Sequence, residues 1–490
     1  MDCTPDTSRQ EQLSIMIRTV NMYENDEFCV PKIKEYFLDF IIVESTTGLS
    51  LANVVLGKLN EYGIQISNCR GQSYDNGANM TGQYQGVQSR ILQLNSRAFF
   101  MPCASHNLNL LLRDIAKSSA KAITFFGTIE RIYTIFSAST SRWAILNKHC
   151  QIMTVKKWSE TRWESRLESV KAIRYQMPEI LNAFEEISNT SSDSLIRSEC
   201  KSLENEIGSY EFILSIIIWY DILVEVNTIS KSLQSPNMDL DISASMLSGL
   251  LSFLNNYRNT GFKSAKTTAK DLAEAIGVST DFKKTRIRTK KKIFSYEAQD
   301  EPSKNEETIF YQDYFLTIVD QAIVSMNMRF SQLESFNNNF GFLYRINKIK
   351  FMEKEELRKC CHDLQNVLTD GELKDIDGYE LYEELLIFCT MISEEITAFQ
   401  ALTVLKKCCG SFPNISIALR IILSIPVTSA GAERSFSKLK IIKNYLRSTL
   451  SQCKLTSLAT LSIEQEICDS LDFNELIEIF AAAKARKKQF

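Results

Sequence analysis

The sequence predicts a helix-dominated α+β fold, and three observations carry that expectation. The 490 residues include only 17 Gly and 8 Pro, well below ordinary usage of about 7% and 5%. Turn-dense all-β chains need the φ > 0 freedom of Gly and the fixed φ of Pro, so they are disfavoured. Segments rich in Ile, Val, Phe and Tyr cluster within roughly the first hundred residues. From about Ser105 to about Gln400 the apolar residues recur at helical spacing with few breakers, the signature of amphipathic helices.

Taken in order, residues 13–20 and 34–44 read as an antiparallel strand pair separated by polar residues 21–26. Ser50 can cap a helix in which Leu51, Val55, Leu59 and Tyr62 share a face, and Gly63 stands where a C′ residue ends it. Residues 68–74 form a strand leading into Asp75. A helix then carries Val87, Ile91 and Leu94, and residues 98–101 (AFFM) form a short buried strand before Pro102. The visible order is strand, strand, helix, strand, helix, strand. The helical stretch that follows is interrupted at residues 189–194 and 259–305. In the second interruption, Lys283, Lys284, Arg286, Arg288, Lys290, Lys291 and Lys292 put seven basic residues within ten, followed by Asp300, Glu301, Glu306 and Glu307. Such a block is either a solvated loop or a nuclear-import or phosphate-contacting segment.

Apolar residues make up 44% of the chain and charged residues 23%, which suits a globular protein with a core. With 56 Lys+Arg against 59 Asp+Glu the formal net charge is −3, so nucleic-acid binding must be local. The N-terminal residues have neither the basic nor the apolar region of a secretory signal. The most apolar run, residues 212–226, is broken by Ser215, Asp221 and Glu225 and reads as a buried helix, with no membrane partner expected. Thirteen Cys without a Cys-x-x-Cys pair indicate small buried side chains in a reducing compartment, cytosol or nucleus.

Four short patterns carry candidate chemistry. Asp75 follows a strand within Ser-Tyr-Asp-Asn-Gly-Ala-Asn-Met, where a side chain meets the crevice beyond a sheet edge or serves as a turn residue. Cys103 and His106 open a helix; lacking a second Cys/His pair they suit hydrogen bonding better than zinc, and no structural zinc is expected. Arg162-Trp163 within Thr161–Arg166 offers either core packing or a ring that stacks an unpaired base beside a phosphate-gripping guanidinium. Near the C-terminus a helix start at Pro426, Thr428 and Ser429 leads into Ala432, Phe436, Leu439, Ile442 and Leu446, with Glu433 beside that apolar stripe.

Together these patterns resemble the transposases of the hAT superfamily, most closely the MYM-type zinc finger 1-like branch with a C-terminal hAT dimerisation region. The residues that carry the resemblance are Met1-Asp2-Cys3-Thr4-Pro5-Asp6 with Glu11-Gln12-Leu13, Cys69 to Met80, Cys103-x-x-His106, Thr161-Arg162-Trp163 and Ala432-Glu433-Arg434-Ser435-Phe436-Ser437. The resemblance implies an RNase H-like mixed sheet interrupted by a large all-helical insertion. It places catalytic, metal-holding carboxylates at Asp2, Asp75 and Glu433. Mg²⁺ or Mn²⁺ there would support in-line phosphoryl displacement. His106, Arg162 and Trp163 would contact DNA, and so would Lys290, Lys291 and Lys292 of the basic block.

Since Met1 alone precedes Asp2 in this sequence, the first strand is expected to be cut short, and the family's upstream zinc-binding module lies outside it. The expected segments are 1–160 (N-terminal part of the core), 161–395 (helical insertion with the charged loop 259–310), 396–475 (C-terminal part of the core with the hAT dimerisation region) and 476–490 (basic tail). The expectation is a nuclear, domesticated or truncated transposase-like protein that forms a homodimer or higher oligomer through residues 402–466 and binds DNA. The alternative is an active metal-dependent DDE transposase.

Overall fold

The computed structural model describes all residues except 23–29, 83, 158–162, 236–237, 239, 284–304, 393, 409 and 483–490. The fold is helix-dominated α+β. Compact packing divides it into one unit made of Met1–Cys103, Asp239–Asp241 and Gln332–Phe490, and a second made of Ala104–Met238 and Ile242–Ser331. The breaks read from the sequence lie at 160, 395 and 475.

The first unit is organised by its sheet. Strands β1 (Asp2–Pro5), β2 (Glu11–Asn21) and β3 (Lys32–Ile42) form an antiparallel meander, and β4 (Gly71–Gln72) pairs in parallel with β5 (Phe99–Phe100). Residues 13–20 and 34–44 are thus strands, displaced by one or two residues from the expected bounds. β1 was not legible: four residues ending in Pro show no alternation, and their strand character comes from pairing, Asp2 opposite Ser14 and Pro5 opposite Glu11. The Met1 nitrogen donates to the Ser73 carbonyl at 2.9 Å, which brings the start of β1 beside the end of β4. The two sheets remain separate in their ladders, β1-β2-β3 and β4-β5.

Both faces of β2 are covered, so residues 12–15 are all nearly solvent-free. On one face Leu13 and Ile15 pack with Leu51, Ala52 and Val55 of the Gly48–Glu61 helix and with Val87 and Ile91 of the Val87–Leu94 helix. Thr47, not Ser50, caps the first of these, accepting from the Ser50 N–H; Gly63 ends it at φ +69°, a conformation that suits Gly at a helix C-terminus. On the other face Phe37 and Phe40 meet Phe436, Leu439 and Ile442 of the Ala430–Ile442 helix and Leu455 and Ala459 of the Gln452–Ile463 helix.

Among its described residues the second unit has helices as its only regular elements. Its axis is the Tyr210–Leu233 helix, long and apolar enough by composition to cross a membrane but with residues 212–219 all buried by protein. Trp219 packs on Phe125 and Phe126 and donates to the Tyr314 hydroxyl at 3.0 Å.

The first unit's sheet and C-terminal helices meet at a buried ion pair. Lys443 Nζ lies 2.6 Å from Asp6 Oδ2, with side chains 2% and 1% exposed, and Nζ also donates to Gln10 Oε1 at 3.2 Å. Burial by itself would raise the Asp6 carboxyl, but Lys443 and the bonds from Gln10, Gln12 and Ser8 outweigh it and hold the pKa below the ordinary value. Removing one partner of such a pair strands the other charge, at a cost of about 3–5 kcal/mol. Lys443→Ala is therefore expected to lower the urea-unfolding free energy by about that amount, and Lys443→Met with Asp6→Leu by clearly less. Equal losses in the two variants would show that packing, not charge, governs this position.

Candidate functional site

The fold brings three carboxylates from distant parts of the sequence within electrostatic reach of one another. Asp2 lies on β1, its Oδ1 accepting the Cys3 N–H at 2.9 Å. Asp75 follows the extension of β4, where the Tyr74 carbonyl accepts the Cys103 N–H at 3.2 Å. Tyr74 fixes that segment: it is fully buried, donates its hydroxyl to Gln72 Oε1 at 2.6 Å, and Gln72 Nε2 in turn donates to the Ala98 carbonyl at 2.9 Å. Glu433 sits in the first turn of the Ala430–Ile442 helix. That helix is pressed on β2 by a buried contact of 2.7 Å between the Ser14 and Ser435 hydroxyls.

Around Glu433 there is a local network that the sequence did not reveal. The Ser429 N–H donates to Cys103 Sγ at 3.3 Å, while Cys103 Sγ and Ser429 Oγ lie 3.8 and 3.5 Å from Glu433 Oε1. Cys103 was legible only as half of a Cys-x-x-His pair, and Ser429 only as a helix start. The contact spans 326 positions, beyond any local pattern.

Like charges gathered away from water oppose ionisation. Burial first, then Glu433 and Asp75, push the Asp2 carboxyl up to about 7. Oxygen donors of this kind suit a hard divalent ion. Yet among the described residues no three His, Cys, Asp or Glu side chains stand close enough to hold a metal.

The remaining expected site residues are placed differently. Trp163 is 3% exposed, with the Arg166 guanidinium 3.7 Å from its ring centroid and Phe126 edge-on at 5.6 Å, so protein covers the ring. His106 is half-buried on the Ala104–Ala116 helix. Arg162, Lys290, Lys291 and Lys292 lie outside the described residues.

With this geometry in view, residues 382–467 match the hAT family C-terminal dimerisation region, and residues 1–86 match a ZMYM1/FAM200, RNase-like domain. The two ends of the chain thus resemble hAT-type, transposase-derived proteins. The human and mouse proteins named "52 kDa repressor of the inhibitor of the protein kinase" are each 21% identical to it over 96% of its length. The chain spans 62% of the length of these curated relatives. Asp2 and Asp75 fall in the first matched segment and Glu433 in the second.

A carboxyl raised by the fold favours its protonated form, so its contribution to stability is full below about pH 4 and is lost as pH rises through about 7. A shift of about three units corresponds to about 4 kcal/mol. Urea unfolding from pH 4.5 to 8 is expected to show stability declining with pH, and Asp2→Asn is expected to flatten that decline. An unchanged slope in the variant would place the titrating group elsewhere.

Proposed function

We propose that the protein acts as a dimer assembled through its C-terminal region. The observation that carries this reading is the Asn474–Ala482 helix, which has no buried residue although Leu476, Ile477, Ile479 and Phe480 are all 47–58% exposed. Leu458, Leu461, Leu471 and Phe473 add to the same stretch of uncovered apolar surface. Leu476, Ile477 and Ile479 share one face of this helix, opposite Glu475 and Glu478; an apolar face left open to water is covered by a partner, and a large exposed apolar patch marks an interaction site. The hAT dimerisation match through residue 467 supports a second copy as that partner. DNA contact by the basic block of residues 283–292 and a nuclear location complete the reading. The relatives' name, a repressor, supports regulation rather than cutting.

A second reading takes the mutual electrostatic influence of Asp2, Asp75 and Glu433 as the mark of an RNase H-like core that cuts and joins DNA ends with Mg²⁺ or Mn²⁺, although the three do not stand close enough to hold an ion in this structure. On the first reading, Mn²⁺-dependent nicking of plasmid DNA does not exceed that of an Asp75→Ala, Glu433→Ala double variant. Nicking that is lost in each single variant would establish the second.

For dimerisation, Leu476→Asp with Phe480→Asp is expected to weaken self-association at least tenfold in sedimentation equilibrium. Because both side chains are exposed, unfolding stability should change by no more than about 0.5 kcal/mol. A monomer in the unsubstituted protein, or a dimer indifferent to the two charges, would remove this role.

A further inference from the structure

Charge is segregated along the C-terminal part of the first unit. From Arg434 to Ile463 there is no Asp or Glu, while Arg434, Lys438, Lys440, Lys443, Arg447 and Lys454 are basic. From Leu455 to Ala483 there is no Lys, Arg or His, while residues 464–478 hold six carboxylates. Of the basic residues, Lys443 turns inward to Asp6, and the Arg434 guanidinium lies 3.8 Å from Glu35. Lys438, Lys440, Arg447 and Lys454 are exposed and have no ion pair among the described residues, and the same holds for Glu466, Asp469 and Asp472. Apolar side chains are uncovered in each half, Ile441, Tyr445 and Leu446 on the basic side and Ile467 and Leu471 on the acidic side.

The Gln452–Ile463 helix lies between the two halves. Leu455 and Ala459 face the core, so at about 100° per residue Lys454, Leu458 and Leu461 share the outer side, and all three are exposed. This ridge begins basic, is apolar in its middle and runs on into the carboxylates. A two-fold axis sets a surface against itself, so that residue i meets j and j meets i. Parallel copies would oppose Lys454 to Lys454. With antiparallel copies and the axis between Leu458 and Leu461, Lys454 stands about 8 Å on one side and Glu466 about 10 Å on the other at 1.5 Å per residue, so each lysine faces the other copy's carboxylate. A polyanion laid along the ridge would meet the carboxylates at its far end, whereas a second copy matches both signs at once.

We propose that two copies of the chain dock antiparallel across the outer side of the Gln452–Ile463 helix, with Lys440, Arg447 and Lys454 of each copy facing Glu466, Asp469 and Asp472 of the other around a centre made by Leu458 and Leu461. The inference rests on the dimeric reading above and gives that interface its orientation and its selectivity. Burial of the apolar centre supplies affinity. The exchanged charges steer the encounter and fix the register, because misaligned copies bring like charges together.

Sedimentation equilibrium of the full chain tests this. Raising NaCl from about 50 to about 500 mM should weaken self-association severalfold, because exposed charges are screened. Lys440→Glu with Lys454→Glu, and separately Glu466→Lys with Asp469→Lys, should each weaken it at least about tenfold through repulsion of like charges, with circular dichroism spectra unchanged because all four side chains are exposed. An equimolar mixture of the two variants should associate as tightly as the unsubstituted protein, since both contacts of the mixed pair again join opposite charges. A mixture no tighter than its components would overturn the proposal. A dimer indifferent to both pairs of substitutions would overturn it too and leave dimerisation to another surface, whereas a monomer throughout would remove the dimeric reading as well. Should Lys440→Glu with Lys454→Glu spare self-association but abolish binding of a short DNA duplex, the basic half would be a nucleic-acid surface and the proposal wrong.

Discussion

The buried Asp6–Lys443 pair holds the two ends of the first unit together, and the carboxylate cluster depends on that connection. The Ala430–Ile442 helix carries Glu433 in its first turn and is followed directly by Lys443, so it is fixed along its length: Lys443 on the β1–β2 turn, Ser435 on Ser14, and Phe436 and Leu439 among Phe37 and Phe40. At about 1.5 Å per residue, ten residues separate Glu433 from Lys443 by about 15 Å. A rotation of the helix large enough to free Lys443 would carry Glu433 away from Asp2. A buried ion pair adds little net stability over an apolar pair of the same shape. We take its role here to be placement, because its geometric demand is sharper than that of the apolar cluster beside it.

How much of this was legible follows from the range of the interactions. β2 and β3 were visible because eleven residues each show alternation or β-rich composition. β1, β4 and β5 are only four, two and two residues long, and their strand character comes from partners remote in sequence. The periodic stripe continued to Leu446, yet the helix stops at Ile442 and Leu446 is 77% exposed. Lys443 turns inward to Asp6, and Asn444 caps a new short turn by accepting the Leu446 N–H. Local periodicity cannot register a helix ended by a tertiary charge.

The site divides along the same line. Asp75 and Glu433 stood out by their place after a strand and beside an apolar stripe, and Asp2 only through family likeness. Physical reasoning on local sequence supplied no reason for Asp2 to meet the others, because its position depends on β1 pairing with β2 and starting beside the end of β4. The Cys103–Ser429–Glu433 contacts were out of reach for the same reason. Trp163 illustrates an ambiguity of another kind. Trp beside Arg signals either stacking on a base or cation–π packing within the protein, and Arg166, three positions on, already occupies the ring.

The Gln452–Ile463 helix ties the sheet to the apolar surface. One side of it closes the core, with Leu455 and Ala459 buried, Thr456 Oγ1 donating to Asp39 Oδ1 at 2.8 Å, and Gln452 Nε2 donating to the Phe40 carbonyl at 2.6 Å. Leu458 and Leu461, on the same helix, remain 41% and 55% exposed. Each residue turns the helix by about 100°, so Leu458 and Leu461 fall to one side of the buried Leu455–Ala459 line, and a single helix can seal the sheet and still offer an apolar ridge. Any partner seated on that ridge bears on β3 through two side-chain hydrogen bonds rather than through a flexible connection. The apolar ridge and the carboxylate cluster are thus parts of one folded unit.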